Sequence, residues 1–269
     1  MNEHLKSMEI YNNILDTIGN TPLIRLNSVA GDVPCTILAK VEFFNPGGSV
    51  KDRIGPAIIE DAERSGKLKP GGTIVESTSG NTGVGLAMAA AIKGYRTIFV
   101  MPDKMSQEKI MLLRAYGARV VVTPTAVEPE DPRSYYSVAN RLVAETPNAV
   151  LANQYHNPVN PEAHIHSTGP EIWRQTNGKL THFVAGMGTG GTITGCGRFL
   201  KSQNPHVKII GVDPIGSILF DLHRGREGKA DGYKVEGIGE DFLPGTLDLS
   251  VVDDVVQVGD RESFLMTRR

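Results

Sequence analysis

The sequence predicts an α/β protein built from two doubly wound, three-layer α/β domains. Short apolar segments typical of strands alternate with helical segments, and this alternation indicates a parallel sheet with helices on both faces. The alternation occurs in two runs separated by a loop-rich stretch over residues 154–168, which predicts two domains with a cleft between them. With 269 residues, of which 40% are hydrophobic, the chain is long enough to bury a large core.

The first run begins with short elements. Apolar spacing predicts a helix over 10–16 and short strands over 23–26 and 35–41. The next helix ends at Arg64 and should begin within 52–55, because Pro56 is tolerated only in a first helical turn. Regular alternation then predicts strands over 73–76, 96–101, 119–123 and 150–153, and helices over 83–93, 106–116 and 131–145, the last capped by Asp131.

The second run follows the loop-rich stretch. It predicts helices over 170–176 and 193–201, strands over 181–185, 207–212 and 255–258, and a last helix capped by Asp260. Because this helix stops at Arg269, we expect the sequence to be a truncated form of a longer chain. The predicted smaller, mobile domain covers 43–156, and the larger domain covers 9–42 and 157–269.

Composition and charge argue against several classes of function. The formal net charge of -2 disfavours nucleic acid as a partner, and no apolar run is long enough to span a membrane. Residues 1–9 are polar without a signal-peptide pattern, so we expect a cytoplasmic protein. Cys35 and Cys196 are interpreted as small buried residues in a reducing compartment. His164 and His166 are interpreted as structural or solvated residues of a loop, and no metal site is predicted.

The sequence from Asn45 to Arg53 predicts a nucleophilic lysine. Its glycines permit backbone conformations closed to other residues, and Ser49 can cap the helix that follows. Lys51 is placed at the start of this helix, where the positive end of the helix dipole favours the neutral amine. A neutral amine forms a Schiff base with an aldehyde. Taken alone, a lysine is most often a solvated surface charge, so the interpretation depends on two further turns.

Those turns each join a predicted strand to a predicted helix. The turn from Thr78 to Gly83 suits a carboxylate or phosphate, although alone it is also typical of an ordinary strand–helix connection. The turn from Gly186 to Thr192 has glycines that let the backbone close on a phosphate. It lacks the Walker A lysine and the full dinucleotide fingerprint, so a compact cofactor with a terminal phosphate fits better. With Lys51, the two turns indicate pyridoxal 5'-phosphate.

These motifs resemble those of the fold-type II pyridoxal phosphate enzymes, the tryptophan synthase β-like group. The resemblance covers residues 14–269 and includes the segment 18–23, the lysine motif and both glycine-rich turns. Within this group the sequence is similar to the cystathionine β-synthase and cysteine synthase family. The segments that resemble cystathionine β-synthases more are 40–45, 213–219 and 233–242, and the segment 131–136 resembles bacterial members.

The resemblance implies a role for individual residues. Lys51 is the catalytic residue and also holds the cofactor, and Asn81 bonds to the cofactor's ring oxygen. The phosphate is held by the residues Gly188, Thr189, Gly190, Gly191 and Thr192. The substrate carboxylate is held by Thr78, Ser79, Gly80, Thr82 and Gln154. Gly237 and Glu240 line the second-substrate side, and Glu240 departs from the tyrosine found in many relatives.

The activity implied by the resemblance is β-replacement on L-serine, or an activated serine, with homocysteine, which gives cystathionine in transsulfuration. Alternatives are a cysteine synthase using O-acetylserine and sulfide, a serine or threonine dehydratase, and a non-catalytic binding protein. The family's serine that faces the pyridine nitrogen is expected beyond Arg269, and neither haem nor adenosylmethionine regulation is expected within this chain. The expected partners are small amino-acid and thiol substrates and a second copy in a homodimer.

Overall fold

The computed structural model describes residues 10–31, 33–78, 80–128 and 130–269. The described residues divide into two units by their internal contacts. Unit 1 lies within Met1–Pro22 and Val41–Ala152, and unit 2 consists of Leu23–Lys40 and Asn153–Arg269. The mobility of a smaller domain over 43–156 stays a prediction.

Unit 1 contains a parallel sheet. Its strands are β3 (Thr73–Ser77), β4 (Arg96–Pro102), β5 (Arg119–Thr123) and β6 (Ala149–Leu151), in the order β5-β4-β3-β6. The neighbouring strands are all parallel. Since the chain proceeds from β3 outward through β4 to β5 and then returns to the other side of β3, the strand order reverses beside β3. In open α/β sheets, ligands bind outside the carboxyl ends of the strands at such a reversal.

The helices of unit 1 follow the sequence pattern. They are α1 (Ile54–Arg64), α2 (Asn81–Lys93), α3 (Gln107–Ala115) and α4 (Tyr135–Glu145). The α4 helix packs Val138 and Leu142, one turn apart, into a core with the β3 and β4 side chains Val75, Ile98 and Val100. The α2 helix is buried over most of its length because its Ala-rich sequence is apolar on every face.

Unit 2 contains a second parallel sheet and a small antiparallel pair. Strands β7 (His182–Gly186), β8 (Lys208–Pro214) and β9 (Asp254–Val258) are parallel neighbours, while β1 (Leu23–Arg25) pairs with β2 (Leu38–Lys40). The helices are α5 (Val159–His166), α6 (Thr168–Gln175), α7 (Gly191–Gln203), α8 (Leu219–His223) and α9 (Asp260–Arg268). The α7 residues Ile193, Cys196 and Leu200 face a buried core that includes Met187 and Ile209.

The order of strands and helices confirms the predicted α/β class, but two helix predictions were wrong. Residues 154–168 are not a continuous loop, because they contain α5. Its start is supported by Asn157, whose side chain accepts a hydrogen bond from the N–H of Val159 at 3.1 Å. The α4 helix begins after Ser134, whose hydroxyl accepts from the N–H of Ser137 at 3.1 Å. Asp131 is engaged instead with Arg133, so it does not cap the helix.

Three smaller predictions also need correction. Residues 10–16 form only a short 3-10 helix over Ile14–Thr17. Cys35 is exposed, whereas Cys196 is buried as predicted. The α9 helix is preceded by Gly259, and the Asp260 carboxylate accepts hydrogen bonds from the N–H groups of Lys234 and Val235.

Among the helices that the structure describes, none combines the length and apolar character needed to cross a bilayer.

Candidate active site

Lys51 lies in a tight turn immediately before α1. The turn is a 3-10 helix over Val50–Asp52, and the hydroxyl of Ser49 accepts a hydrogen bond from the Lys51 N–H at 3.1 Å. Because α1 begins at Ile54, Pro56 falls in the first helical turn, as predicted. Lys51 therefore lies at the entrance of α1, and its backbone position is set by a local cap.

A buried ion pair supports this turn. The Arg53 guanidinium donates from Nε to Glu42 Oε2 at 2.7 Å and from Nη2 to Glu42 Oε1 at 2.8 Å. Thr21 and Asn45 each donate a further side-chain hydrogen bond to the same carboxylate, at 2.6 and 2.9 Å. Burial raises the pKa of Glu42. The hydrogen bonds from Arg53, the Arg53 charge, and the hydrogen bonds from Thr21 and Asn45 together lower that pKa by more, so it lies below its ordinary value.

Asp52 stabilises the same turn through a hydrogen bond to its backbone. Its Oδ2 accepts from the N–H of Gly47 at 2.6 Å, while Oδ1 is buried without a hydrogen-bond partner among the described residues. Burial, assisted by the Glu42 charge, raises the pKa of Asp52 above its ordinary value despite backbone hydrogen bonds from Gly47 and Ser49 and the Arg53 charge. The partly buried Glu42, through Arg53, and the buried Asp52 thus both stabilise the turn that carries Lys51.

The second predicted turn follows β3, where the strand order reverses. Thr78 is buried and its hydroxyl accepts from the Gly80 N–H at 3.1 Å, and Asn81 and Thr82 open α2. Gly80 has φ of 146°, a conformation that favours glycine. Ser79, predicted to bind substrate, lies outside the described residues. The first turn of α2, all of which is described, has no acidic side chain, so its N–H groups suit a carboxylate.

Unit 1 brings Lys51 close to this α2 turn. A Cβ built on Gly85, one turn into α2, would lie 2.6 Å from the Lys51 carbonyl oxygen. The backbone of the lysine turn therefore packs directly on α2, and only glycine fits at the contact. This contact places the backbone of Lys51 beside α2, the helix whose first turn is the predicted carboxylate site.

The third predicted turn connects β7 to α7 in unit 2. Gly190 has φ of 82°, and a Cβ built on Gly191 would overlap Asn160 Oδ1. A Cβ on Gly188 would lie 2.9 Å from the Gly237 carbonyl oxygen. Glycine is required at positions 188 and 191 because Gly237 and Asn160 pack so closely on the loop that no Cβ fits there. The first turn of α7 directs N–H groups without intrahelical partners out of the helix, and Thr189 and Thr192 add hydroxyl groups.

The remaining predicted residues lie around this loop in unit 2. Gln154 is buried, and its backbone carbonyl accepts from Asn160 Nδ2 at 2.8 Å. The carbonyl oxygen of Gly237 lies beside Gly188. The N–H and carbonyl of Glu240 both bond to the Ser217 hydroxyl, at 3.0 and 3.1 Å. The structure therefore brings together the glycine loop, Gln154 and the 237–240 segment.

The carboxylates of Glu240, Asp213 and Asp241 place negative charge around the phenol of Tyr233. Burial, followed by the charges of Glu240, Asp213 and Asp241, raises the pKa of Tyr233 to about 12. Asp213 is fully buried, and burial raises its pKa above the ordinary value. Tyr233 therefore stays neutral at physiological pH, and the nearby carboxylate charge favours a ligand that carries an ammonium group.

Sequence reasoning missed the residues that support the predicted loops. Glu42 and Arg53 support the lysine turn, and Asn160 and His164 contact the two threonines of the glycine loop. Both of the latter lie on α5, which was predicted as loop. Their spacing of four residues, typical of one helix face, was the available signal.

The residues present fit a pyridoxal phosphate group. The loop from Gly188 to Thr192 offers N–H groups at the N-terminus of a 13-residue helix together with two hydroxyls, and the described first turn of α7 has no acidic side chain. This donor set matches a phosphate. The lysine turn of unit 1 supplies the amine that an aldehyde needs.

Comparison with known proteins agrees with these features. Residues 14–269 match the family described as "Pyridoxal-phosphate dependent enzyme". The chain is 54% identical to the cystathionine beta-synthase of Mus musculus over 98% of its own length and 47% of the relative. It is 44% identical to the cysteine synthase of Staphylococcus aureus strain Mu50, over 96% of its own length and 80% of the relative.

A solved structure supports the same assignment. The O-acetylserine dependent cystathionine beta-synthase from Helicobacter pylori superposes with a TM-score of 0.87 at 40% identity, covering 97% of this chain and 83% of that one. The chain spans about half the length of the curated cystathionine beta-synthases that it matches. Because the family match extends over nearly the whole sequence, the chain belongs to the pyridoxal-phosphate dependent enzyme family, whose cofactor is pyridoxal phosphate.

Proposed function

We propose that the chain catalyses β-replacement on L-serine, or an activated serine, with homocysteine to give cystathionine. The observation that carries the proposal is the packing of the lysine turn on α2, one turn from the N-terminus of that helix, because a lysine and a candidate carboxylate site then belong to neighbouring elements. Similarity to relatives named cystathionine beta-synthase, at 54% identity, supports the same reaction. The reaction replaces the Cβ–O bond of serine with a Cβ–S bond and releases water.

Lys51 is the proposed acid–base group. Pyridoxal phosphate, when bound, supplies an electron sink for the electrons left at Cα of the amino acid. The Lys51 amine removes the Cα proton and returns it after the thiol sulfur has bonded to Cβ. The caps and ion pair around the turn hold the Lys51 backbone in place, so that the amine can act on a fixed atom.

Binding roles divide between the two units. In unit 1, Thr78, Ser79, Gly80 and Thr82 are proposed to bind the substrate carboxylate, and Asn81 the oxygen on the cofactor ring. In unit 2, Gln154 is proposed to bind the carboxylate, and the residues Gly188, Thr189, Gly190, Gly191 and Thr192 the phosphate. The α2 and α7 N-termini supply N–H donors for the two anions.

Glu240 and Gly237 are proposed to lie on the side of the second substrate. The negative charge around Tyr233 disfavours an anionic nucleophile such as hydrosulfide more than a zwitterionic amino-acid thiol, whose ammonium group offsets its carboxylate. Homocysteine is a thiol of this kind. This charge supports homocysteine as the second substrate, whereas the 44% identity to a cysteine synthase keeps O-acetylserine with sulfide as the alternative.

The test is a steady-state comparison of four substrate pairs. Serine and O-acetylserine are each combined with homocysteine and with sulfide, and the products are quantified by mass spectrometry. Cystathionine formation with the higher kcat/KM would support the proposal, and preferential formation of cysteine would establish the alternative. Absorption spectra recorded in parallel show whether the purified chain binds the cofactor and responds to the amino acid.

We further propose a cytoplasmic homodimer. Phe43 and Phe44 stack on each other with ring centroids 5.3 Å apart, yet they are 71% and 61% exposed in the isolated chain. A pair of exposed aromatic side chains is typical of an interaction surface. Sedimentation equilibrium should give twice the chain mass, and Phe43→Ser with Phe44→Ser should shift the protein towards monomer.

A further inference from the structure

Two buried side chains on α5 contact the two hydroxyl groups of the glycine loop. Asn160 Nδ2 lies 3.2 Å from Thr189 Oγ1, and His164 Nε2 lies 3.2 Å from Thr192 Oγ1. Asn160 and His164 are each only 1% exposed and are four residues apart, so they occupy one face of α5. The same face thus contacts both side-chain donors that the loop can offer to an anion.

The direction of the Asn160 hydrogen bonds follows from its partners. Asn160 Nδ2 also contacts the carbonyl oxygen of Gln154 at 2.8 Å, and a carbonyl can only accept. This contact identifies the nitrogen of the Asn160 amide, whose two protons are then used by Gln154 and by Thr189 Oγ1. Thr189 must accept, so its own hydroxyl proton is available for another acceptor.

The carbonyl of Thr189 is also engaged. It accepts from the Thr246 hydroxyl at 2.5 Å, which keeps the backbone of the loop in place. The Thr189 hydroxyl oxygen additionally lies 3.5 Å from the Gly191 N–H. The contacts from Asn160 Nδ2 and the Gly191 N–H therefore use the Thr189 hydroxyl oxygen as an acceptor and leave its proton as a donor to a ligand.

His164 can direct Thr192 in the same way. Its Nδ1 lies 2.8 Å from Thr168 Oγ1, so the ring lies between two hydroxyls. If Thr168 donates to Nδ1, then Nε2 carries the proton and donates to Thr192. In the opposite arrangement Thr168 would donate to Ser167 Oγ at 3.5 Å, which is a weak contact, and Thr192 would donate to His164. Because the 2.8 Å contact is present in both arrangements, we take the first arrangement as part of the proposal that follows.

We propose that Asn160 and His164 are positioning residues that orient the hydroxyl protons of Thr189 and Thr192 towards the cofactor phosphate. The inference rests on the proposed placement of the phosphate at the loop from Gly188 to Thr192. Neither side chain touches the phosphate in this account. Both act by occupying the acceptor side of a threonine hydroxyl, so that no rotation of that hydroxyl is needed when the anion binds.

The first experiment compares the affinity of the apoprotein for pyridoxal phosphate and for pyridoxal, which lacks the phosphate. We expect His164→Leu to weaken pyridoxal phosphate binding by roughly 10- to 100-fold, the scale of one hydrogen bond to a charged group. Binding of pyridoxal should change less than about twofold, because that ligand does not use Thr192. His164→Gln, which retains an amide donor, should recover most of the affinity.

Matched controls separate a local effect from a structural one. His166 is exposed on the same helix, so His166→Leu should leave both affinities unchanged. Thr192→Val should weaken pyridoxal phosphate binding, and adding His164→Leu to it should cause little further loss. Equal weakening of both ligands by His164→Leu, or additive effects in the double variant, would overturn the inference.

A second measurement avoids any substitution. Proton–nitrogen correlation spectra of the histidine rings in the unmodified holoprotein report which nitrogen of His164 carries the proton. The proton is expected on Nε2, and a proton on Nδ1 alone would overturn the inference while leaving the phosphate site intact. If the unmodified chain binds pyridoxal as tightly as pyridoxal phosphate, the proposed phosphate placement fails as well.

Discussion

Removing the charge of Glu42 should destabilise the lysine turn strongly. In Glu42→Gln, the Arg53 guanidinium would remain in a site where its side chain is 2% exposed, opposite a neutral amide. The variant keeps the size of the side chain but removes its charge, and only one oxygen remains to accept the hydrogen bonds that Arg53, Thr21 and Asn45 donate to the two carboxylate oxygens. The perturbation therefore removes the carboxylate that faces the buried Arg53 cation while filling the same space.

The magnitude follows from burial. Breaking a buried ion pair by removing one partner costs about 3–5 kcal/mol, and Glu42 retains 16% exposure, so we expect about 3 kcal/mol. This is a large part of the ~5–15 kcal/mol that stabilises a typical domain. The double variant Glu42→Leu with Arg53→Met removes both charges and should be less destabilised than Glu42→Gln alone.

The pH dependence gives an independent check. The folded-state pKa of Glu42 is lowered, so its contribution to stability is present above the unfolded value and is lost as the pH falls through the folded value. The free energy of unfolding of the wild type should consequently exceed that of Glu42→Gln by most near neutral pH. This difference should decrease as the pH falls below 4.5, the ordinary pKa of a glutamate.

The assay is urea unfolding that is monitored by hydrogen-exchange mass spectrometry. Peptides from unit 1 and unit 2 are followed separately, because a chain with two units need not unfold in one step. A loss below about 1 kcal/mol at pH 7, typical of an exposed ion pair, would refute the reasoning. So would a double variant that is less stable than Glu42→Gln.

Three further predictions concern the site. Lys51→Ala should lower turnover by roughly 10³-fold or more and prevent borohydride from fixing the cofactor to the chain; substantial remaining turnover would contradict the proposed acid–base role. Gly191→Ala should greatly weaken pyridoxal phosphate binding, since its Cβ would overlap Asn160, whereas Gly232→Ala has open space and should bind normally, as measured by absorbance titration. Because the pKa of Tyr233 is raised to about 12, Tyr233→Phe should leave the pH–rate profile below pH ~10 unchanged, and a shifted limb there would refute its neutrality.

Local chemistry explains which parts of the fold the sequence could predict. Ser49 and Pro56 act within one helical turn of their own positions, so the start of α1 was evident from residue type. The α5 helix was missed because Asn157-Pro158 and Asn160-Pro161 are both typical of turns. In the structure Pro158 immediately precedes the helix and Pro161 lies in its first turn. The N–H groups of a first turn have no partner within the helix, so the N–H that proline lacks does not remove a hydrogen bond there.

The candidate site divides by the same criterion. A strand–helix turn that binds an anion must supply N–H groups and small residues over a few consecutive positions, so such turns are visible in sequence. The side chains that orient them have no such constraint. His164 is 28 residues from Thr192, Asn160 is 29 from Thr189, and Glu42 is 11 from Arg53. Such pairs are determined by helix and strand packing, which sequence spacing alone does not specify.

This division also predicts how substitutions should act. A change within a turn removes a donor or fills the space of a ligand, so it should affect ligand binding more than folding. A change at Glu42 removes the carboxylate that pairs with the buried Arg53 cation and should affect the stability of unit 1. His164 differs from both, because it is buried like a core residue yet acts through the hydroxyl of Thr192. Ligand selectivity between pyridoxal and its phosphate is therefore the measurement that separates its positioning role from its packing role.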